Sequence, residues 1–394
     1  MSATSHPRLL GLLLLQSALI QAVAFVVRPT TSYEALALGL PNAALGAVGA
    51  TFAVVPLLLA VPVGGWVDRV GERRLHLAGA LLVVVSCVLL VLAPTSAGAL
   101  ILANGALGAG HLGCIVSQQT SVANSFTSVR LDSAFGYYTF AASLGQAAGP
   151  ALIAVMGGGA VDPTTRPIFL AALILSGTLL GSTFAMPGVG RSEGDADSDG
   201  APPAPRQRAV ELLRVPGLTK AITTSAIVLA AVDLTVVYLP ALGTERGMSS
   251  SLVGALLTVR ALFSMASRVV LGPSARRLGR GRLLALSLVL STVGMAALPV
   301  PMPVWLMVIV VAVLGLGLGV GQPLTMSWVT QQAPAGRRGQ ALSLRLAGNR
   351  LGQILLPSAL GIAAAGTGAA GALVATAALL GSTLGIARSV RLDG

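Results

Sequence analysis

Apolar stretches of about 20 residues recur along the whole chain, with short polar segments between them. A membrane-spanning helix needs ~20 predominantly apolar residues, because the hydrocarbon core is ~30 Å thick and a helix rises ~1.5 Å per residue. The stretches do not alternate apolar and polar residues at every second position, so they are not strands of a membrane barrel. The pattern therefore predicts twelve membrane-spanning helices, near residues 9–27, 42–66, 75–93, 98–122, 134–157, 167–186, 219–240, 250–272, 283–300, 303–329, 340–365 and 368–388.

The least marked boundary between spans falls inside the long apolar stretch 283–329. Pro299, Pro301 and Pro303 interrupt this stretch. Proline lacks a backbone N–H and is poorly tolerated inside a helix. We therefore expect a turn between the ninth and tenth spans at these prolines.

The first span has two interpretations. Arg8 precedes an apolar stretch, and Ala22-Val23-Ala24 resembles the small-residue cleavage site of a secretory signal peptide. Gln16 and Gln21, however, interrupt the apolar core, and eleven further spans follow. We therefore expect the first helix to be retained in the membrane.

The composition supports a membrane protein. Of the 394 residues, 54% are hydrophobic and 10% are charged, and the mean hydropathy is +0.85. An ordinary soluble domain has ~25% charged residues, and a chain so poor in charge cannot cover a soluble surface. Cys87 and Cys114 both lie in apolar runs and form no disulfide framework. These observations favour an all-α polytopic membrane protein and exclude soluble, collagen-like and disordered chains.

The basic residues predict the orientation of the chain. A net charge of +12 would suggest nucleic-acid binding in a polar protein, but membrane proteins concentrate Lys and Arg in cytoplasmic loops. With both termini in the cytoplasm, only Arg28, Arg166 and Arg246 fall on the outer side, and four arginines lie within spans. The remaining 18 basic residues all fall on the cytoplasmic side: Arg8, Arg69, Arg73, Arg74, Arg130, Arg191, Arg206, Arg208, Arg214, Lys220, Arg276, Arg277, Arg280, Arg282, Arg337, Arg338, Arg388 and Arg391.

A polar stretch at 187–217 divides the spans into two groups of six, 1–186 and 218–394. Its acidic residues and the run Ala201-Pro202-Pro203-Ala204-Pro205 are typical of a flexible cytoplasmic linker. The acidic tract also permits an interpretation as a metal site, which we consider the weaker one. Residues 206–216 are expected to form a short interfacial helix before the seventh span.

The two groups of spans contain matching segments. Gly64–Gly71 ends the second span and Gly272–Gly279 ends the eighth, at an offset of 208 residues. Ser143–Gln146 in the fifth span matches Arg350–Gln353 in the eleventh, at an offset of 207. Matching segments at corresponding places indicate a duplication. Parallel repeats of this kind usually enclose a binding site near the bilayer midplane.

The loop after the second span resembles the signature of the major facilitator superfamily. The likeness covers essentially the whole chain and implies the fold of that family, with twelve transmembrane helices in two pseudo-symmetric six-helix bundles. It further implies that the loop acts as a cytoplasmic latch in the outward-open state; the alternative is a simple positive-inside anchor. In the second copy Arg276 replaces the acid, so only the first copy is expected to latch. The residues that carry the resemblance are Gly64, Asp68, Arg69, Gly71, Arg73 and Arg74.

The fifth span resembles a second motif of the family. Gly145-x-x-x-Gly149-Pro150 is similar to the pattern associated with proton-driven exporters, although Ala151 follows where a glycine would be usual. Small residues at this spacing also occur wherever membrane helices pack closely. The basic residue that many such exporters carry in the fourth span is absent, and His111 in that span is expected to be a packing residue.

Ionisable residues inside the predicted spans are candidates for function, because placing a charge at a helix centre costs at least ~2.5–3.5 kcal/mol. Asp233 in the seventh span is a candidate for proton coupling, or alternatively a structural partner of Arg260. Arg268 and Arg345 lie nearer the cytoplasmic face, where a gating or packing role is expected.

Arg260 and Arg350 fall near the middle of their spans, with one acid between them. The surplus positive charge favours an anionic or carboxylate-bearing solute, which guanidinium groups bind bidentately. The alternative for Arg350 is a structural contact with helix carbonyls and Asn349. Further polar candidates for lining the cavity, each of which could instead bond a neighbouring helix, are Gln16, Gln21, Asn104, Gln118, Gln146, Gln322 and Gln353.

The remaining patterns offer little support for catalysis. The run Gly315-x-Gly317-x-Gly319-x-Gly321 lacks the strand and lysine of a nucleotide-binding loop, so we expect it to pack helices. No metal-ligand cluster or nucleophile–histidine–acid set is visible in the sequence, so no enzyme and no cofactor is predicted.

The predicted function is therefore secondary active transport across the cell membrane. We expect proton-coupled export of a small molecule by a monomer in the bilayer, without nucleic acid and driven by an ion gradient. The alternatives are proton-coupled uptake of an organic anion and, from another class, a non-transporting membrane sensor on the same fold. The substrate and the direction of transport are left open by the sequence.

Overall fold

The computed structural model describes residues 5–39, 42–92, 96–156, 164–186, 209–248, 250–334, 336–364 and 367–388, and these residues form helices joined by short turns. The predicted linker lies largely outside the described residues, and only a single helical turn is found in its last part. In chain order the helices are α1 (Ser5–Ala37), α2 (Asn42–Val70), α3 (Glu72–Leu92), α4 (Ala97–Ser125), α5 (Ser128–Met156), α6 (Thr165–Phe184), α7 (Ala209–Leu212), α8 (Leu218–Glu245), α9 (Ser250–Val269), α10 (Leu271–Leu278), α11 (Arg280–Ala297), α12 (Val304–Gln332), α13 (Arg338–Ala364) and α14 (Gly368–Arg388).

The long helices follow the predicted spans in order, and the turn expected at Pro299–Pro303 lies between α11 and α12. Within the described residues, nine helices are long and apolar enough to cross a membrane, or ten when the bent pair of α9 and α10 counts as one span. Two predicted spans, α5 and α13, are not among these; α13 carries Arg345 and Arg350, which reduce its apolar character. The structure is that of an all-helical polytopic membrane protein.

The eighth predicted span, 250–272, is broken rather than continuous. The helix axis bends by 62° between α9 and α10, with Val270 at the break. Pro273 has no N–H for the carbonyl of Val269, and its ring is compatible only with the first turn of a new helix. The chain therefore restarts as the short helix α10, whose last turn carries Arg276 and Arg277.

The chain divides into two compact units. Unit 1 comprises Met1–Phe126, Tyr138–Ala209 and Pro334–Leu344, and unit 2 comprises Thr127–Tyr137, Val210–Ala333 and Arg345–Gly394. The first turns of α13 thus belong to unit 1, whereas the rest of α13 belongs to unit 2. The first turns of α5 belong to unit 2, whereas the rest of α5 belongs to unit 1. The division of the sequence into 1–186 and 218–394 remains a prediction.

Close approach between α3 and α4 forms part of the packing of unit 1. A Cβ added to Gly79 would lie 2.8 Å from the Gly110 carbonyl oxygen, and one added to Gly110 would lie 2.6 Å from the Gly79 carbonyl oxygen. The two backbones can therefore meet only because both residues lack a side chain.

The glycine run of α12 has the same role in unit 2. A Cβ on Gly315 or Gly319 would overlap the carbonyl oxygens of Arg260 and Ser264 in α9, and one on Gly317 would lie 2.6 Å from the Ser287 carbonyl oxygen in α11. The prediction that this run packs helices is confirmed.

Candidate functional site

Asp68, near the end of α2, holds the beginning of α13. Its Oδ1 accepts a hydrogen bond from the Gly339 N–H and its Oδ2 one from the Gln340 N–H, both at 2.9 Å. The first N–H groups of a helix have no partner within the helix, and they carry the positive end of its dipole. The carboxylate therefore caps α13.

Glycines allow α2 and α13 to approach this closely. A Cβ on Gly64 would lie 2.6 Å from the Cβ of Ser343 and 2.9 Å from the Cα of Gln340. The Ser343 hydroxyl donates to the Ala60 carbonyl oxygen. Gly71 directly follows α2 and has a φ of +85°, a conformation that glycine adopts without strain.

The arginines of the motif have exposed side chains. Arg69, Arg73 and Arg74 are all solvent-exposed, and Nη2 of Arg73 donates to the Phe184 carbonyl oxygen at 3.4 Å. They are thus placed on the surface of unit 1, whereas Asp68 is placed against α13.

A neighbouring chain of polar contacts was not anticipated from the sequence. The buried Glu72 accepts a hydrogen bond from the Asn124 side chain at 2.7 Å. Arg338, the first residue of α13, donates to the Ala123 carbonyl oxygen at 2.8 Å and to Asn124 Oδ1 at 3.4 Å. Glu72 lies between Gly71 and Arg73 of the loop motif, and this position is the sequence signal that could have identified it.

The motif of the fifth span places α5 against α1 in unit 1. A Cβ on Gly145 would overlap the Ala18 carbonyl oxygen, and one on Gly149 would lie 2.6 Å from Phe25 Cβ. Pro150 continues α5, and its side chain lies outside the described residues. Both glycines are therefore positions of close helix contact.

The neutral polar candidates of unit 1 are not gathered into one cluster by the contacts that the structure describes. Gln16 is fully buried, and its amide has no hydrogen-bond partner within the described residues. Asn104 donates to the Leu100 carbonyl oxygen of its own helix at 3.0 Å. Gln21 and Gln146 are half-buried in α1 and α5.

Gln118 belongs to a buried chain of hydrogen bonds between helices. Its Nε2 lies 3.1 Å from His76 Nε2, and His76 Nδ1 lies 2.9 Å from the Thr183 hydroxyl. Tyr138 donates to Gln118 Oε1 at 3.1 Å. These bonds join α3, α4, α5 and α6, which matches the alternative that Gln118 bonds neighbouring helices.

His111 is a buried packing residue, as expected. Its ring meets the edge of Phe52 with centroids 5.2 Å apart. The guanidinium carbon of Arg28 lies 4.5 Å from the Phe52 ring centroid, which is a cation–π contact.

Unit 2 brings the charged candidates together. Gln353 Nε2 donates to Asp233 Oδ2 at 2.7 Å, and Gln353 Oε1 accepts from Arg350 Nη1 at 3.2 Å. Asp233 also interacts electrostatically with Arg260, which is buried in α9. One amide therefore joins the acid of α8 to an arginine of α13.

Arg345 and Arg268 make separate contacts with α12. The fully buried Arg345 donates to Gln322 Oε1 at 2.5 Å, and Arg268 Nε donates to the Gly319 carbonyl oxygen at 3.3 Å. Gln322 in turn donates to the Ser225 carbonyl oxygen at 2.9 Å. Both arginines thus connect helices, which agrees with a gating or packing role. Gln322 contacts both Arg345 and Ser225.

Asn349 Oδ1 accepts a hydrogen bond from the Ser225 hydroxyl at 2.9 Å, and Arg350 donates to Gln353 Oε1 at 3.2 Å. In the described part of the chain, no group of three or more His, Cys, Asp or Glu side chains is arranged to hold a metal ion.

The long apolar helices define a polytopic helical membrane protein. The sequence profile described as Major Facilitator Superfamily matches residues 13–248 and 221–391. The chain belongs to the major facilitator superfamily, and it is a secondary transporter rather than an enzyme. No significant match was found among curated protein sequences.

Solved structures share the fold over almost the whole chain. The human organic anion transporter MFSD10 (TETRAN) is 17% identical, with a TM-score of 0.75, covering 97% of this chain and 99% of that one. The proton:xylose symporter XylE, bound to 6-bromo-6-deoxy-D-glucose, is 14% identical, with a TM-score of 0.76, covering 97% of this chain and 95% of that one. At these identities the likeness concerns the fold alone.

Proposed function

We propose that this transporter exports a small molecule across the cell membrane by proton-coupled alternating access, with both termini in the cytoplasm. The observation that carries the proposal is the connected set of Asp233, Gln353 and Arg350, in which Asp233 also interacts electrostatically with Arg260. It places a group that can gain and lose a proton among groups that can bind a solute.

Protonation of Asp233 changes the charge of this cluster by one unit. The proton removes the charge that attracts Arg260, and it weakens the hydrogen bond that Asp233 Oδ2 accepts from Gln353. Such interactions are strong inside a membrane protein, where the effective dielectric constant is low. Solute binding and proton binding at this cluster are therefore coupled.

Two further features support export and alternating access. The close packing of Gly145 and Gly149 against α1 agrees with the helix-packing role of the exporter motif. The cap that Asp68 places on α13 can hold one conformation of the transporter, and its release permits the other. Asp68 with its loop is thus proposed as a latch, with Asp233 as the coupling residue and Arg260, Arg350 and Gln353 as residues that contact the substrate.

The second candidate function is proton-coupled uptake of an organic anion. It is favoured by the charges of unit 2, where Arg260, Arg268, Arg345 and Arg350 accompany a single acid, Asp233, in the predicted spans. The resemblance in fold to a human organic anion transporter and to a proton symporter is compatible with it. An anion bound beside Asp233 would increase the proton affinity of the carboxylate, so that anion and proton bind together.

The direction of proton movement separates the two candidates. The purified transporter is reconstituted into vesicles with a pH-sensitive dye in the lumen, and a panel of anionic, neutral and cationic solutes is applied outside. Export by antiport predicts that inward flow of a solute moves protons outward and makes the lumen alkaline. Acidification of the lumen supports the second candidate, and a lumen pH that no solute changes contradicts proton coupling altogether.

A further inference from the structure

The beginning of α11 contacts the beginning of α5 in unit 2. Nε of Arg280 forms an ion pair with Asp132 Oδ2 at 2.7 Å, and its Nη1 donates to Gln331 Oε1 at 3.0 Å. The Asp132 side chain is buried, with 5% of its surface exposed, whereas that of Arg280 is 19% exposed. A buried carboxylate is therefore held by an arginine that solvent can reach.

This contact lies in the repeat counterpart of the region that holds the Asp68 contact, and it shares one of its two sides. The offset of 208 residues that relates the two loop copies places Arg280 at the position of Glu72 and Gly272 at that of Gly64. The offset of 207 residues places Asp132 at the position of Gly339. The acid of the second contact thus lies on the helix that corresponds to α13.

The close approach is repeated together with the polar contact. A Cβ on Gly272 would lie 2.8 Å from the Cβ of Ser133. Gln340 is the repeat equivalent of Ser133, and a Cβ on Gly64 would lie 2.9 Å from the Cα of Gln340. A Cβ on Gly136 would overlap the Arg268 carbonyl oxygen. At the equivalent position, Ser343 donates to the Ala60 carbonyl oxygen.

The two contacts have opposite polarity. In the first, the loop motif supplies the acid and the helix supplies backbone N–H groups; in the second, the helix supplies Asp132 and the loop supplies Arg280. Residues 246–392 contain no Asp or Glu, so no acid in that stretch can pair with the arginines at 276–282. The acid comes from α5, which lies 148 residues earlier in the chain.

We propose that Asp132 and Arg280 form a second latch, of reversed polarity, that holds the same conformation as the Asp68 latch. This inference rests on the alternating access of the proposed function, and not on its coupling ion or direction. It replaces the expectation that only the first copy latches, because the loss of the acid at Arg276 is compensated by an acid on the facing helix.

The burial of Asp132 determines how the second latch responds to substitution. Within the described residues its Oδ1 has no hydrogen-bond partner, so Arg280 provides the neutralising contact. Removing one partner of a buried ion pair leaves an uncompensated charge, which costs more than removing both. Removing the charge of Arg280 alone should therefore open the latch more than removing the charges of Arg280 and Asp132 together.

The test measures the reaction of a cysteine at the latch with a maleimide, using the full chain in lipid nanodiscs. Ser133→Cys reports on the second latch and Gln340→Cys on the first. We expect Arg280→Gln to increase the labelling rate at Ser133→Cys about 5-fold or more, whereas Arg280→Lys, which keeps the charge, stays close to the parent rate. Arg282→Gln, which removes an exposed arginine two residues later, is the matched control.

Folding and function are kept separate in this test. If Arg280→Gln does not yield folded protein, Asp132→Asn combined with Arg280→Gln removes the ion pair without leaving a buried charge. An unchanged rate in whichever of these variants folds, or equally fast labelling in Arg280→Lys, overturns the proposal. Labelling requires neither a proton gradient nor a solute, so its outcome does not depend on whether proton-coupled export is correct.

Discussion

Tyr138 in unit 1 and Arg345 in unit 2 stand at the same repeat position, 207 residues apart, and both donate a hydrogen bond to a glutamine side chain. The first contact is neutral, whereas the second carries a positive charge. The difference extends further, because Phe52 and Ser143 of unit 1 correspond to Arg260 and Arg350 of unit 2. These three positions are therefore neutral in unit 1 and positively charged in unit 2.

The buried polar groups of the two units make different kinds of contact. In unit 1 the buried polar groups join helices, as His76, Gln118 and Tyr138 do. In unit 2 the polar groups of Asp233, Gln353 and Arg350 form a chain that can respond to a proton or an anion. We therefore expect substitutions in unit 2 to change binding and coupling, and equivalent substitutions in unit 1 to have small effects.

The largest expected effect is on solute affinity. Arg350→Ala should weaken binding of an anionic solute by about 100-fold, because hydrogen bonds to charged groups contribute about 1.5–3 kcal/mol each. Ser143→Ala, at the equivalent position of unit 1, should leave the affinity unchanged. Titration calorimetry of both variants in detergent measures this difference, and normal affinity in Arg350→Ala would remove this arginine from the site.

A second comparison concerns the glycines at equivalent positions of α5 and α13. Gly145→Ala should destabilise the protein by about 1–3 kcal/mol, since overpacking a tight contact has this cost and a Cβ there overlaps the Ala18 carbonyl oxygen. A Cβ on Gly352 would lie 3.1 Å from the Ala226 Cβ, so Gly352→Ala should have a smaller effect. Thermal unfolding of the two variants gives the order, and equal destabilisation would mean that the α1–α5 contact is no tighter than its repeat.

A smaller effect is expected at the loop motif. Asp68→Asn leaves an amide with a single acceptor for the two N–H groups of Gly339 and Gln340, so one charge-assisted hydrogen bond to the helix end is lost. We expect turnover to slow about 10-fold, with solute affinity retained, since the lost bond corresponds to about 1.5 kcal/mol. Counterflow rates and binding constants separate these quantities, with Glu211→Gln as a control at an exposed acid. Unchanged turnover in Asp68→Asn would show that the cap does not act as a latch.

Most of the helical architecture could be predicted from the sequence, because the membrane imposes a length and composition that local patterns reveal. The turn at Pro299–Pro303 is an example. The break at Val270 was not anticipated, since Pro273 lies where the apolar stretch was already expected to end. Hydropathy registers the apolar content of a span, whereas the bend depends on one missing backbone donor.

The candidate residues were recognisable individually, but their contacts were not. Asp233 and Gln353 are separated by 120 residues, and Arg280 and Asp132 by 148. No local pattern encodes which helices meet, and the acid-free stretch 246–392 shows only that some distant acid is required. The three-dimensional structure shows these pairs, and it shows that Asp132 of α5 is the acidic partner of Arg280 beside the second loop copy.

Asp233→Asn tests whether Asp233 couples solute movement to protons. Asparagine keeps an oxygen that can accept from Gln353 but cannot be protonated in the physiological range, so solute binding should persist. In vesicles with an imposed pH gradient, we expect that the variant no longer accumulates solute, while exchange of labelled for unlabelled solute continues. Accumulation at the parent level in Asp233→Asn would contradict this expectation.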